Sequence, residues 1–275
     1  MADDASAAKA GSGDAGRIVF DAVEFRFHEG AVPIIRDLSF EVDGGEFFVL
    51  LGPSGCGKST VLNLIAGFET PTQGTIRASG HPVEHAGPDR MVIFQESDSL
   101  YAWLSVLDNV AFPLRVVGVP SGERRARALA ALKLVGLQGH EGKYPGELSG
   151  GMKQRTQLAR ALVLDSPILL MDEPFAALDA QTRAILQDEL VALTMRVRRT
   201  VVFITHDIGE AILLGDRVAV MRAGPASSIK EMLAITLPRP RKRSSVEFGE
   251  LYERINQSIS EEVRRSLRQE DGLIA

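Results

Sequence analysis

Hydrophobic and polar positions along the chain follow two periods. Uninterrupted apolar runs at Phe47 to Leu51, Ile168 to Met171 and Val201 to Ile204 predict strands buried on both faces, as in the middle of a parallel sheet. Alternating apolar and polar residues over Arg17 to Phe20, Val23 to Phe27 and Leu38 to Val42 predict antiparallel strands with one wet face. Further strands are expected at Gly74 to Ala78, Met91 to Phe94 and Val218 to Met221. Helical spacing runs over Glu123 to Val135, with Ser121 as N-cap and Gly136 as the stop. It returns over about residues 150 to 164, 180 to 197 and 208 to 214, the last opened by a capping box of Asp207 and Glu210. From about residue 97 to 165 strand signals stop, which predicts a helical subdomain inserted between core strands. Residues 1 to 16, rich in Ala, Gly, Ser and Asp, have no period and are expected to be a disordered lead-in. Over residues 246 to 275, Leu251, Ile255, Ile259 and Val263 at four-residue steps predict an amphipathic helical tail. The basic run before it, Leu237 to Arg243, reads as a solvated linker.

Two of the buried strands run straight into candidate chemistry. Phe47 to Leu51 is followed by Gly52-Pro53-Ser54-Gly55-Cys56-Gly57-Lys58-Ser59-Thr60 and then by the helical run Val61 to Ala66. A strand, a glycine-rich turn and a helix start bring successive backbone N–H groups and the positive end of a helix into one small volume, which suits a phosphate. Gly52, Gly55 and Gly57 let backbone approach the anion, Lys58 can reach β- and γ-phosphates, and the Ser59 hydroxyl can ligate Mg²⁺. Ile168 to Met171 ends in Asp172-Glu173, where Asp172 can hold the metal and Glu173 can polarise an attacking water.

Three more positions complete the candidate site. Ser149-Gly150-Gly151 opens a helix; Ser149 could serve only as an N-cap, but two residues without side chains let a phosphate reach the helix N–H groups. The chain thus carries a second anion site without a lysine. His206, at the end of Val201 to Thr205, can hydrogen-bond a γ-phosphate, and Gln95, after Met91 to Phe94, can reach the metal or the water. Cys56 near a helix N-terminus is expected to have a lowered pKa and to be alkylated unless nucleotide protects it.

Composition narrows the function classes. A chain of 275 residues with 45% apolar content can bury a large core, and a net charge of −5 argues against nucleic acid as a partner. One cysteine excludes an internal disulfide and fits a reducing cytosol. No apolar stretch approaches the roughly 18 residues of a membrane span, and no basic-then-apolar leader is present, so the chain is expected neither to be secreted nor to anchor itself.

In their order these segments resemble the nucleotide-binding ATPase of ATP-binding-cassette transporters over residues 17 to 245. The likeness rests on the Walker A loop at Gly52 to Thr60, Gln95, the signature at Leu148 to Gln154, the Walker B strand at Ile168 to Glu173, the D-loop at Ala177-Leu178-Asp179 and His206. It implies an α/β fold, a P-loop NTPase core with a mixed, mainly parallel sheet, an antiparallel β subdomain and an inserted helical subdomain. It implies ATP and Mg²⁺ as cofactors, with Ser59, Gln95 and Asp172 at the metal. It implies a head-to-tail dimer in which Ser149, Gly150 and Gly151 of one copy close over ATP held by the other. Glu173 would then be the general base, His206 its bridge to the γ-phosphate, and Phe27 the platform for adenine. Further implied partners are transmembrane permease subunits and, indirectly, a solute-binding protein, with the chain peripheral on the cytoplasmic face of the inner membrane.

Tyr144 to Leu148, Met152, Trp103 to Val110, Asp172 to Arg183 and Leu237 to Arg241 are similar to the nitrate, sulfonate and taurine importer branch. Ala176 and Ser99-Leu100-Tyr101-Ala102 depart from that branch's usual residues, and the second departure lies where the family receives its permease. Lipid or export cargo, and a soluble cassette outside transport, stay open as alternatives.

Overall fold

A computed structural model of the chain describes residues 14–94, 99–176 and 178–270. Four strands, β1 (Ile18–Phe25), β2 (Ile35–Val42), β4 (Gln73–Ala78) and β5 (His81–Pro82), form an antiparallel sheet in the order β2-β1-β4-β5. Six others, β3 (Phe47–Leu51), β6 (Arg90–Ile93), β7 (Ile168–Asp172), β8 (Thr200–Thr205), β9 (Arg217–Met221) and β10 (Ile229–Ala234), form the order β10-β9-β3-β8-β7-β6. The pairs from β9 through β6 are parallel, and only β10 joins antiparallel.

Strand periodicity divides the interior in two. Phe47, Val49, Leu51, Leu169, Met171, Val201 and Phe203 face one core; Phe48, Leu50, Ile168, Leu170, Val202 and Ile204 face the other. The second core is closed by α1 (Lys58–Ala66) and by the apolar face of the antiparallel sheet. The first is closed by α2 (Val106–Val116), α3 (Ser121–Leu134), α4 (Gly150–Leu162), α5 (Ala180–Val197), α6 (Ile208–Leu214) and α7 (Val246–Glu270).

Several local expectations are corrected. Ser121 is the first helical residue of α3 and not its cap: extended Pro120 takes the cap position, and its carbonyl accepts the Arg124 N–H. The stop at Gly136 stands, with φ at +65° and its N–H bonded back to the Lys133 carbonyl. At α6 only half of the capping box forms: Asp207 accepts the Glu210 N–H, while the Glu210 carboxylate turns inward to the Thr205 hydroxyl and the Gln187 amide. β1 joins two expected strands across a bulge at Ala22, whose φ is +47°.

The basic run is not a solvated linker. Arg241 donates from Nη1 to the carbonyls of Ile212, Leu213 and Gly215, and from Nη2 to that of Ile235. Arg239 pairs with Asp216 and bonds the Leu214 carbonyl. These arginines satisfy the orphan carbonyls at the C-terminus of α6 and complement its dipole. Burial there pulls the Arg241 guanidinium down to about 10.

Candidate nucleotide site

The parallel sheet explains why the candidate residues meet. β3, β8 and β7 are neighbours, with Leu51 opposite Thr205 and Asp172 opposite Ile204. Their carboxyl ends therefore deliver the phosphate loop, His206 and the Asp172-Glu173 pair to one edge, where open α/β sheets bind ligands.

Residues 52 to 57 link β3 to α1, with Gly55 at φ +75° and Gly57 at +91°. Gly57 is the N-cap of α1 and no side chain caps the helix, so its first N–H groups are left for a ligand. A Cβ on Gly57 would stand 3.0 Å from Ile35 Cδ1, and one on Gly52 3.0 Å from Cys56 Sγ and 3.2 Å from the Met221 carbonyl. Packing excludes a side chain at both positions, and at Gly57 the left-handed φ does so as well. Gly55 meets open space instead. Lys58 is buried, and its Nζ donates to the carbonyls of Gly52 and Pro53, each at 2.9 Å. Pro53 and Thr60 are partly exposed and Ser54 and Ser59 exposed.

The Cys56 expectation is corrected. Its thiol is 1% exposed and belongs to the second core, and burial pushes its pKa up despite nearby Lys58. The helix N-terminus acts on the backbone of this residue, whereas its side chain points away into the core.

The Asp172 carboxyl is also pushed up, chiefly by burial and further by Glu173, while the Ser59 hydroxyl bonded to it and Lys58 pull it down. A carboxylate and a hydroxyl held together in this way are hard oxygen donors of the kind Mg²⁺ takes. A raised pKa means that the folded state holds the proton more tightly than the unfolded chain. The group's contribution to stability is full below the ordinary carboxylate pKa and is lost as pH rises through its folded value. Asp172→Asn should therefore raise the apo melting temperature at about pH 7.5, by an amount that shrinks toward about pH 4. Calorimetry in metal-free buffer measures this, and an equal change at both pH values would contradict it.

Glu173 follows with φ at +45°, a left-handed backbone in which few non-glycine residues rest. Its N–H is tied to the Ile204 carbonyl at 3.0 Å, and its own carbonyl accepts the Ala176 N–H at 3.1 Å. The result is a carboxylate aimed at His206, whose Nδ1 lies 3.0 Å from Glu173 Oε2. The imidazole is 70% exposed and the carboxylate 17%, so the pair sits at the mouth of the edge.

Phe27, 58% exposed, packs edge-on against Phe25 just beyond β1. The Phe25 carbonyl accepts the Ile34 N–H, and Ile34 and Ile35 touch Gly57, so this end of the hairpin abuts the phosphate loop. Ser149 caps α4 through the Met152 N–H, and Gly150 beside it is exposed with open space around its Cα. α4 packs in the first core and α1 in the second, so the two glycine-started helices lie on opposite faces of the sheet. Gln95 lies outside the described residues.

Some connections at the site were not expected from the pattern. Glu210 and Arg183 join the neighbourhood of His206 to the segment before α5: Glu210 accepts the Thr205 hydroxyl at 2.6 Å, and Arg183 donates to the Leu178 carbonyl at 2.9 Å. The Gln154 amide reaches the Glu173 carbonyl at 3.5 Å from inside α4.

The sequence profile described as "ABC transporter" matches residues 35–176. The chain is 47% identical over 244 residues to an uncharacterised ABC transporter ATP-binding protein of Methanocaldococcus jannaschii, covering 89% of this chain and 91% of that one. It is 46% identical over 235 residues to the nitrate import ATP-binding protein NrtD of Synechococcus elongatus, covering 84% and 85%. Its fold matches a dimeric ATP-binding cassette solved in a post-hydrolysis state with ADP and Pi, at 30% identity and a TM-score of 0.72 over 80% of this chain and all of that one. With a profile match spanning the phosphate loop to the Walker B strand and relatives aligned over most of its length, the chain belongs to the ABC transporter family, as an ATP-binding subunit that hydrolyses ATP.

Proposed function

We propose that the chain drives an importer for a small anionic solute, working as a head-to-tail pair that closes over two ATP molecules. The observation that carries the reading is the pair of glycine-started helices on opposite faces of one sheet, only one of which begins at a lysine, Lys58, bonded back into the glycine loop before it. A single chain with its anion sites so divided is half of two composite sites, and a two-fold pair completes both.

In each site the loop N–H groups from Gly52 to Thr60 and the Lys58 ammonium hold the β- and γ-phosphates of the substrate, while Phe27 stacks on the adenine. Ser59, Asp172 and Gln95 would hold Mg²⁺, which would supply positive charge to offset that on the phosphate oxygens. Glu173 accepts a proton from the attacking water as the bond to the bridging β–γ oxygen breaks, leaving ADP and phosphate. His206 keeps the Glu173 carboxylate oriented and donates toward the γ-phosphate. Ser149, Gly150 and Gly151 of the partner add donors where charge develops, each commonly worth about 10²–10³ in rate.

Closure is passed to permease subunits on the cytoplasmic face of the inner membrane, where the chain is peripheral. Among the described residues no helix is long and apolar enough to cross a membrane. A receiving surface is at hand: Trp103 is 74% exposed beside a groove of about 280 Å³ lined by Leu104, Asp108, Ala111, Phe112, Arg115 and Arg124. Similarity to a nitrate import ATP-binding protein supports an anion as cargo, delivered by a separate solute-binding protein. Reconstituted in vesicles with its permease, the chain should hydrolyse ATP several-fold faster with nitrate-loaded binding protein than without, and nitrate should accumulate inside. Hydrolysis indifferent to the binding protein, or cargo moving outward, would contradict the importer reading.

A further inference from the structure

The tail helix reaches the phosphate loop through one buried carboxylate. After β9 the chain turns over residues 222 to 228, and this turn lies against the back of the loop: a Cβ on Gly224 would stand 3.1 Å from the Gly55 carbonyl oxygen and 3.9 Å from Cys56 Cα. The turn is also laced to the hairpin beside the loop. Ala226 N–H donates to the Pro33 carbonyl at 2.7 Å, Ser227 N–H to that of Ile34 at 2.9 Å, and Arg36 N–H to that of Ser227 at 3.1 Å. One residue before Gly224, the buried Ala223 N–H donates to Glu262 Oε2 at 2.9 Å.

Glu262 stands near the far end of α7 and is 4% exposed. Its other oxygen lies 3.1 Å from Lys230 Nζ, and that ammonium also bonds the Ser258 carbonyl at 2.9 Å and Glu261 at 2.6 Å. Ile255 and Phe248, both buried, fix the same helix to the core. The carboxylate is thus held from two sides, and the residue after the one it grips, Gly224, is so close to the loop that a Cβ there would stand 3.1 Å from the Gly55 carbonyl oxygen.

We propose that Glu262 is a positioning residue for nucleotide binding, and that docking of α7 and occupancy of the phosphate loop are coupled through the turn at Ala223 and Gly224. Gly55 holds a left-handed backbone with open space where a side chain would be, so the turn behind it is the support that keeps its N–H groups directed at an anion. Without Glu262 the buried Ala223 N–H loses its acceptor, the turn moves to find another, and the support at Gly55 moves with it. Coupling of this kind is reciprocal: whatever factor docked α7 adds to nucleotide affinity, bound nucleotide adds to the docking of α7. The inference rests on the reading of the loop as the nucleotide site.

The experiment uses the full chain and a non-hydrolysable ATP analogue. Glu262→Ala should weaken analogue binding and raise the KM for ATP by about five- to twentyfold, with kcat within about twofold of the parent. Glu262→Gln, which keeps an acceptor oxygen for Ala223, should stay near the parent. In the unaltered chain the analogue should slow hydrogen exchange along residues 255 to 267. A folded Glu262→Ala chain that binds the analogue like the parent would overturn the proposal. So would unchanged exchange at α7 in the parent at saturating analogue, a result that decides the matter even if the alanine variant does not fold. Failure of the parent chain to bind the analogue would instead sink the reading of the loop.

Discussion

Glu173→Gln should bind ATP as tightly as the parent chain, lose steady hydrolysis by about 10²–10⁴-fold and accumulate as an ATP-bound dimer. The carboxylate has its geometry set from both sides: a left-handed backbone at φ +45° directs it, and His206 Nδ1 holds it at 3.0 Å. Glutamine keeps the volume and an oxygen for that histidine while removing the ability to take a proton from water. Binding should be unaffected because in this account the phosphate grip belongs to Lys58 and the loop. Blocking hydrolysis also blocks the event that opens the pair, so the closed state should build up. Turnover of the variant at the parent's rate would remove Glu173 as the base.

Lys58→Met and Gly151→Asp should both abolish turnover, for different reasons. Lys58 Nζ now bonds the Gly52 and Pro53 carbonyls and is positioned to exchange them for phosphate oxygens. Losing a charge-assisted bond of about 1.5–3 kcal/mol should weaken ATP binding by roughly ten- to hundredfold. Gly151, beside exposed Gly150 at the start of α4, touches nucleotide only from the partner copy in this account. An aspartate there should leave ATP binding to the separate chain intact, and should prevent closure by setting a carboxylate against the γ-phosphate. Equilibrium binding with labelled ATP distinguishes the two variants; equal loss of affinity in both would place the signature on the same nucleotide as its own chain's loop.

The legible part of the fold was the part whose burial is uniform. β3, β7 and β8 are buried on both faces, so their apolar runs stand out without any knowledge of neighbours, and the polar residues that end them mark the edge. Less was legible where tertiary contact overrides local pattern. β10 is an edge strand whose Lys230 and Glu231 are engaged by α7, which erases its alternation. α2 carries Pro113 inside a helix capped by Ser105, and proline argues against a helix when read locally. Arg239 and Arg241 look like a solvated charge run because the carbonyls they satisfy belong to α6, more than twenty residues earlier. Glu210 fits a capping box by spacing and a buried network by position, and burial decided between them. For Cys56 the helix terminus was visible and the direction of the side chain was not.

The claim that two copies grip one terminal phosphoryl group is tested most directly by mixing Lys58→Met with Gly151→Asp chains, each inactive alone. At equal concentrations and with random pairing half of the pairs formed would be mixed, and each of these contains one site with both an intact phosphate loop and an intact signature. About a quarter of the parent activity should return if sites act independently, and the regained activity should follow the product of the two concentrations. A mixture as inactive as its components, in a preparation where mixed pairs are shown to form, would contradict a site shared between subunits.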